Sequence, residues 1–190
     1  MLELVPYSKE WNKDFEKIKK DIAACVDGKI LRVDHIGSTA IPSLSAKDII
    51  DVQIGVSNID CVESLIKPMQ DIGFDLLPHI KMDHAPGHEF DEFVPGWEKR
   101  FFKANEKRRA ANIHVRLISG KNFEFALLFR DFLRQDKEAA RAYEQVKIRL
   151  EEYLSDNVKA YTLIKDPVCD LIILLARKWA RDSGWSISRE

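Results

Sequence analysis

The sequence contains little cysteine, and this excludes two kinds of structure. Its 190 residues include three cysteines, Cys25, Cys61 and Cys169, which lie far apart. An odd number of isolated cysteines supplies neither a disulfide framework nor a paired zinc-binding motif. We therefore expect three reduced thiols within an ordinary hydrophobic core.

Long hydrophobic runs are also absent. The longest, residues 171–176, is far shorter than the roughly 20 apolar residues that a membrane-spanning helix needs. The first residues lack the charged segment followed by an apolar stretch that is typical of a secretory signal. The sequence thus predicts a cytoplasmic protein with no membrane partner.

Neither sign of charge is in surplus. Thirty lysines and arginines balance 31 aspartates and glutamates, which gives a formal net charge of −1. Domains that bind nucleic acid usually show a basic surplus, so a nucleic-acid partner is disfavoured. A site for a small anion must instead come from local clustering of cations. The oligomeric state is left open by these patterns.

Hydrophobic periodicity divides the chain into a mixed part, 1–118, and a helical part, 119–190, within one domain. Apolar residues at steps of three and four predict helices, and strict alternation predicts strands. The predicted helices are 8–26, 58–72, 121–135, 137–154 and 159–181, and the predicted strands are 29–36, 49–56, 74–80, 99–104 and 112–118. The expected fold class is α+β, a small mixed β-sheet with a C-terminal helical part.

One aspartate interrupts the most regular strand. In "IIDVQIGV" (49–56) the isoleucines and valines at even positions share one face, so Asp51 points to the other. The preceding strand ends at Gly37, Ser38 and Thr39, where a glycine lets a phosphate approach the backbone closely. A carboxylate near such a turn suits a divalent cation. The alternative is a tight turn beside a solvated aspartate.

Two groups of polar side chains are further candidates. On the strand 112–118, His114 and Arg116 share a polar face. His114 is a candidate general base or metal ligand and Arg116 a candidate anion contact; the alternative is that both are polar residues on an open sheet face. In the helical part, Tyr143 and Lys147, and Tyr161 and Lys165, repeat a spacing of four. The tyrosine rings would stack on a nucleotide base, and the lysines would contact its phosphates. The alternative is that these side chains pack between helices.

A loop rich in histidine and acid is a rival metal site. Its imidazoles and carboxylates are suitable ligands for Zn²⁺ or Mn²⁺. However, Pro86 and Gly87 break the helix that paired histidines would need. We therefore interpret the segment as a polar, mobile lid loop. Its candidate ligands are His79, Asp83, His84, His88, Glu89, Asp91 and Glu92.

The stretch "HIGSTAIPSLSAKDIID" (35–51) resembles the signature of the GrpB family, also called UPF0157, whose usual form is close to HIGSTAVPGLxAKPIID. Downstream, "RFFKAN", "IHVRLI", "LLFRDFLRQDKEAARAYEQVKIRL" and "AYTLIKDPVCDLIILLARKWA" are similar to further family motifs, in the same order. The resemblance therefore covers nearly the whole chain.

This resemblance implies a nucleotidyltransferase-like fold of the polymerase-β type. Asp51 would be the first metal carboxylate, holding Mg²⁺ or Mn²⁺, and a nucleoside triphosphate would be the substrate. The second carboxylate of the superfamily falls at Gln53, and a glutamine lacks the charge that divalent cations need. The implied phosphate contacts are Gly37, Ser38, Thr39, Lys47, Arg116, Arg130, Lys147 and Lys165.

Two functions follow. In the first, the protein transfers a nucleotidyl group to a small molecule, with Asp51 and His114 as catalytic residues. In the second, it is a catalytically silent nucleotide-binding or protein-folding accessory module, similar to the GrpB domain that occurs fused to dephospho-CoA kinase. The chain has no Walker-type phosphate loop, so it is not expected to be that kinase itself.

Overall fold

A computed structural model describes residues 2–26, 28, 30–89 and 92–187. Helices and strands follow one another as the hydrophobic patterns predict. The helices are α1 Glu10–Cys25, α2 Ile66–Asp71, α3 Lys121–Gln135, α4 Lys137–Leu154 and α5 Val158–Ser183. The strands are β1 Arg32–Ile36, β2 Ile50–Val56, β3 Phe74–Leu76, β4 Lys99–Ala104 and β5 Ala111–Leu117.

The five strands form one mixed sheet in the order β1-β2-β5-β4-β3. Strands β2 and β5 are parallel, and the other three neighbouring pairs are antiparallel. The register places Asn112 opposite Asp51 and His114 opposite Gln53. The expected α+β class, a small mixed sheet followed by helices, is confirmed.

One face of the sheet forms the larger core. Ile50, Val52 and Ile54 are fully buried there, packed against the apolar face of α1. Burying each such side chain contributes about 1.5–3 kcal/mol. Because side chains alternate along a strand, this burial turns Asp51 and Gln53 toward the opposite face, where the C-terminal helices lie.

Helices α3, α4 and α5 pack on one another and on the segment after β1. Asp136 begins α4 as predicted, because its side chain accepts hydrogen bonds from the backbone N–H groups of Glu138 and Ala139. The start of the chain also reaches α4, where the Leu4 N–H donates to Glu151 at 2.6 Å. Among the described residues, no helix combines the length and hydrophobicity needed to cross a bilayer.

The second predicted helix differs from the sequence prediction. The helix predicted over 58–72 is a 3₁₀ helix, Ile59–Ser64, followed by the short α2, which contains Pro68. The predicted lid loop contains an isolated β-bridge, in which Met82 pairs with Glu98. Of its candidate ligands, Asp91 lies outside the described residues.

Candidate functional site

A cavity of about 270 Å³ lies where the turn after β1 meets the three C-terminal helices. It brings together candidates from both halves of the chain. From the mixed part come the turn residues 37–39, Lys47 and Asp51, and from the helical part come Lys147 and Lys165. Tyr143, Tyr161 and Asn112 complete its polar lining.

The turn contacts the aspartate directly. Gly37 has φ +71° and ψ −171°, a backbone conformation that is essentially confined to glycine. A Cβ atom at this position would lie 2.4 Å from Asp51 Oδ2, which is closer than any side chain allows. Glycine is therefore required here for two reasons, the backbone angles and the approach of the carboxylate.

The Asp51 carboxylate is held on one oxygen. Asn112 Nδ2 donates to Oδ1 at 2.9 Å, and His114 Nε2 lies 3.8 Å from the same oxygen. Burial alone would raise the pKa of Asp51, but the interactions with His114 and Asn112 outweigh it and lower the pKa. The side chain is 29% exposed, so an ionised carboxylate can be reached from the cavity.

Two buried histidines flank this aspartate. The His35 ring stacks on Phe15, and its Nε2 lies 3.0 Å from Thr39 Oγ1 in the turn. Burial lowers the pKa of His35 to about 4, with Arg134 adding to the effect. Burial likewise lowers the pKa of His114 to about 4. Both imidazoles are therefore neutral at neutral pH.

Three lysine ammonium groups converge on the cavity. Lys147 is 2% exposed, its Nζ donates to the Ser45 carbonyl, and burial lowers its pKa to about 8. Burial also lowers the pKa of Lys47, and the positive charge of Lys165 adds to this. For Lys165 itself, burial would lower the pKa, but Tyr143 and Asp166 beside it raise it.

The tyrosines contact these lysines, but not in the predicted pairs alone. Lys147 Nζ lies 5.1 Å from the centre of the Tyr143 ring, as the spacing of four suggests. Tyr161 is instead covered by Lys47, at 4.7 Å, rather than by Lys165. One face of each ring is therefore taken by an ammonium group, which disfavours the predicted stacking of a base there.

Behind Asp51 lies a second polar cluster, which we call the arginine cluster: Gln53, Asp83, Lys99, His114 and Arg116. Arg116 donates from Nη1 to Gln53 Oε1 at 2.5 Å and from Nε to Asp83 Oδ2 at 2.8 Å. Lys99 donates to the other Asp83 oxygen at 2.6 Å. Burial would raise the pKa of Asp83, but Arg116 and Lys99 hold it far below its usual range.

Comparison with known proteins identifies the family. The sequence matches the GrpB protein family over residues 1–174. The chain belongs to the GrpB family. This confirms the resemblance that the motifs indicate.

Among curated GrpB-related sequences, a dephospho-CoA kinase of Mycolicibacterium paratuberculosis is 32% identical, over 96% of this chain and 47% of the kinase. The UPF0157 protein YqkA of Bacillus subtilis is 27% identical, over 95% of this chain and 48% of that protein. UPF0157 protein BH1888 of Halalkalibacterium halodurans is 28% identical, over 90% of this chain and 80% of that protein. This chain therefore spans about half the length of the kinase and of YqkA.

A solved structure shares the fold. The crystal structure of conserved protein GrpB from Enterococcus faecalis is 23% identical, with a TM-score of 0.75, and the match covers 93% of this chain and 99% of that one. At this identity the likeness establishes the architecture alone. The mixed sheet and C-terminal helices are thus those of a GrpB fold.

Within this GrpB chain, three predicted site residues lie outside the cavity lining. His114 lies behind Asp51, and Arg116 belongs to the arginine cluster. Arg130 donates to the His35 carbonyl at 3.0 Å and forms an ion pair with Asp131, so it stabilises the end of β1 just before the turn. The fold does not bring these three to the cavity, because each is engaged within the protein.

The sequence patterns do not show how two residues, Asn112 and Asp83, shape the site. Asn112 lies on the predicted polar face of β5, so the alternation of that strand was a usable signal. Asp83 is predicted as a candidate metal ligand in the polar lid loop, but its side chain is only 14% exposed and lies between Arg116 and Lys99. No local pattern marks it, because its partners lie 33 and 16 residues further along the chain.

The donor set does not fit the divalent metal that the superfamily implies. Asp51 supplies a single carboxylate, and the side-chain oxygen of Gln53 accepts a hydrogen bond from the Arg116 guanidinium. Among the described residues, no three histidine, cysteine, aspartate or glutamate side chains are placed to share a metal ion. Mg²⁺ and Mn²⁺ sites in proteins rely on carboxylate oxygens, and this site offers one carboxylate.

Proposed function

We propose that this GrpB chain is a binding module that holds a small phosphate-bearing molecule, about the size of a mononucleotide, in the cavity between the sheet and the helical part. The observation that carries the proposal is the convergence of Lys47, Lys147 and Lys165 on one cavity.

The electrostatics of these lysines support an anionic ligand. Lys47 and Lys147 both have lowered pKa values, chiefly from burial, and the charge of Lys165 lowers both further. Of these three lysines, only Lys165 has a carboxylate within ion-pair distance among the described residues, Asp166 at 2.7 Å. An anion bound among these groups would relieve their mutual repulsion, and a phosphate offers several strong acceptors to lysine donors.

The size of the cavity limits the ligand. Sites that enclose drug-sized molecules measure about 300–1,000 Å³. At about 270 Å³, this cavity is just below that range. It favours a mononucleotide or sugar phosphate over the nucleoside triphosphate that the family resemblance implies. The contact of Gln53 with Arg116 also counts against nucleotidyl transfer with two metals.

Thermal unfolding against a ligand panel tests this proposal. The panel contains inorganic phosphate, ribose 5-phosphate and the mono-, di- and triphosphates of the four common ribonucleosides, each with EDTA, Mg²⁺ or Mn²⁺. A ligand at a hundred times its Kd stabilises the folded state by about 2.7 kcal/mol. We expect several degrees of stabilisation by at least one monophosphate in EDTA.

Two variants localise that binding. Lys147→Met keeps the length of a buried side chain and removes one of the three cavity charges, so the shift should be much smaller. Lys178→Met is the matched control, because Lys178 is an exposed lysine on α5. If no phosphate compound raises the Tm, the proposal fails. A shift that requires a triphosphate with metal, and that disappears in Asp51→Asn, would favour the nucleotidyltransferase instead.

The outer face of α5 favours a second function, docking onto a protein. Ile164, Leu171, Leu174 and Leu175 are between 52% and 65% exposed and lie along one side of the helix. Soluble proteins rarely leave such apolar patches uncovered without a use. Similar sequences occur within dephospho-CoA kinases about twice as long, so we propose a dephospho-CoA kinase as the partner.

Refolding of a purified dephospho-CoA kinase from urea, with and without this chain, tests the docking function. We expect a higher yield of active kinase when the chain is present. The double variant Leu171→Glu, Leu174→Glu should remove the effect, whereas Tyr153→Glu should preserve it. Tyr153 is 74% exposed on α4, outside the apolar face. An unchanged yield with the wild-type chain would refute this second function.

A further inference from the structure

The arginine cluster changes what Asp51 can bind. In a two-metal site, the position two residues along β2 would carry a second carboxylate facing the same cations. Here Gln53 is fully buried, accepts a hydrogen bond from Arg116 and donates to the Phe123 carbonyl at 3.3 Å. A fixed guanidinium charge therefore stands on the side of Asp51 where the second cation would lie, and it would repel one.

Asp51 itself retains an unused acceptor. Its Oδ1 is engaged by Asn112, whereas Oδ2 has no hydrogen-bond partner in the part of the chain that the structure describes. The carboxylate lines the cavity and is ionised at neutral pH, so Oδ2 is a strong acceptor for a ligand. Gly37 has no side chain, so no Cβ atom occupies the space 2.4 Å from this oxygen.

The cavity is therefore bipolar. Three ammonium groups attract an anion, and one carboxylate oxygen attracts a hydrogen-bond donor. A cationic donor such as an amine would be repelled by Lys47, Lys147 and Lys165. A hydroxyl group is neutral and meets both requirements, because it can donate to Oδ2 without adding positive charge.

From this arrangement we infer that the ligand is a hydroxyl-bearing phosphate monoester, a mononucleotide or a sugar phosphate, bound without a metal. Its phosphate lies among the three lysines, and one of its hydroxyl groups donates to Asp51 Oδ2. This inference rests on the proposed function and adds the substrate class. Asp51 is thereby a specificity-determining acceptor, while Asn112 and His114 are positioning residues that fix its orientation.

Calorimetric titration with matched ligands tests the role of the hydroxyl. The wild-type chain is titrated, in EDTA, with adenosine 5′-monophosphate, with its 2′,3′-dideoxy analogue and with ribose 5-phosphate. A hydrogen bond to a charged group contributes about 1.5–3 kcal/mol, which corresponds to a ten- to hundredfold change in Kd. We expect the dideoxy analogue to bind about ten- to a hundredfold more weakly. Ribose 5-phosphate separates a sugar-phosphate ligand from one that needs the base.

The Asp51→Asn variant tests the residue assignment. It keeps the shape of the side chain and removes its charge, so it should reduce the preference for hydroxyl-bearing ligands to within about threefold. Asp75→Asn is the control, because Asp75 is an exposed aspartate on β3, outside the cavity lining. If Asp51→Asn does not fold, the affinities of the wild-type chain for adenosine 5′-monophosphate and its dideoxy analogue still test the role of the hydroxyl group.

The outcomes separate the two proposals. Equal affinity of the wild-type chain for the hydroxyl and dideoxy ligands overturns this inference and leaves phosphate binding intact. Binding that appears only after Mg²⁺ is added overturns it as well, in favour of a metal at Asp51. If none of the phosphate compounds binds, the proposed function fails and this inference fails with it.

Discussion

Gly37 and Asp51 touch across the first two strands, with the position of a Gly37 Cβ only 2.4 Å from Asp51 Oδ2. The turn after β1 and the carboxylate on β2 are therefore in contact, and a side chain at position 37 would displace the carboxylate. Because both line the same cavity, this contact fixes the acceptor beside the lysines.

Substituting Gly37 by alanine is expected to destabilise the protein and to block the cavity. The backbone conformation alone costs about 1–3 kcal/mol for a residue with a side chain. The clash with Asp51 adds to this cost, and it displaces the carboxylate. Urea unfolding should show a loss of at least 2 kcal/mol, about the middle of that range.

Gly184→Ala provides the control for this substitution. Gly184 also has φ +71°, at the end of α5, but an added Cβ would meet nothing within 4 Å. It should cost about 1–2 kcal/mol and leave ligand binding unchanged. Equal losses from the two substitutions would show that the contact between Gly37 and Asp51 has no energetic weight.

Breaking the arginine cluster should be costly. In Asp83→Asn, Arg116 and Lys99 lose the carboxylate that neutralises both of them. Removing one partner of a buried ion pair typically costs about 3–5 kcal/mol. Urea unfolding measures this loss, and Asp75→Asn on the exposed side of β3 should change stability by less than about 0.5 kcal/mol. A loss below about 1 kcal/mol for Asp83→Asn would contradict the arrangement described here.

Acidification should weaken the fold through the buried histidines. The pKa of His114 is lowered to about 4 in the folded chain, so the unfolded chain takes up a proton first as the pH falls below about 6.5. Stability from this residue is therefore present at neutral pH and is lost between about pH 6.5 and pH 4, by about 2–3 kcal/mol. His35 should behave in the same way.

The free energy of unfolding, measured by urea at neutral pH and near pH 4.5, checks this dependence. His114→Gln should lower the difference between the two conditions by about 2–3 kcal/mol. His79→Gln is the control, because His79 is exposed in the loop before β4. An unchanged difference in the His114 variant would mean that this imidazole is protonated in the folded protein.

Ligand binding should weaken at alkaline pH through Lys147. Its pKa is lowered to about 8 in the free protein, so its ammonium group is lost as the pH rises above that value. The Kd for a phosphate monoester should therefore rise up to tenfold per pH unit above about 8, since one proton is linked to binding. Titrations across this range should show a shallower rise in Lys147→Met. The same slope in both proteins would remove Lys147 from the binding site.

Much of the fold follows from local patterns. The alternation in β2 predicts which face is apolar, and therefore that Asp51 points away from the α1 side. The bounds of α3 and α4 agree with the prediction, because Asp136 caps one helix where the other ends. Patterns of this kind depend on neighbours in sequence, so they can be read without the structure.

The details of the site depend on contacts that sequence spacing does not encode. Asp83 is in a loop without periodicity, and only the folded chain shows it buried against Arg116. In the same way, Lys47 rather than Lys165 covers Tyr161, because the segment between β1 and β2 folds back onto α5. Contacts of this kind, between residues far apart in sequence, determine where the charged side chains of the site lie.

The most direct test is a crystal structure of this chain grown with adenosine 5′-monophosphate and Mg²⁺ together. We predict the phosphate among the Nζ atoms of Lys47, Lys147 and Lys165, with a ribose hydroxyl donating to Asp51 Oδ2 and no metal between them. A magnesium ion bridging the phosphate and Asp51, or a nucleotide bound away from this cavity, would contradict the account.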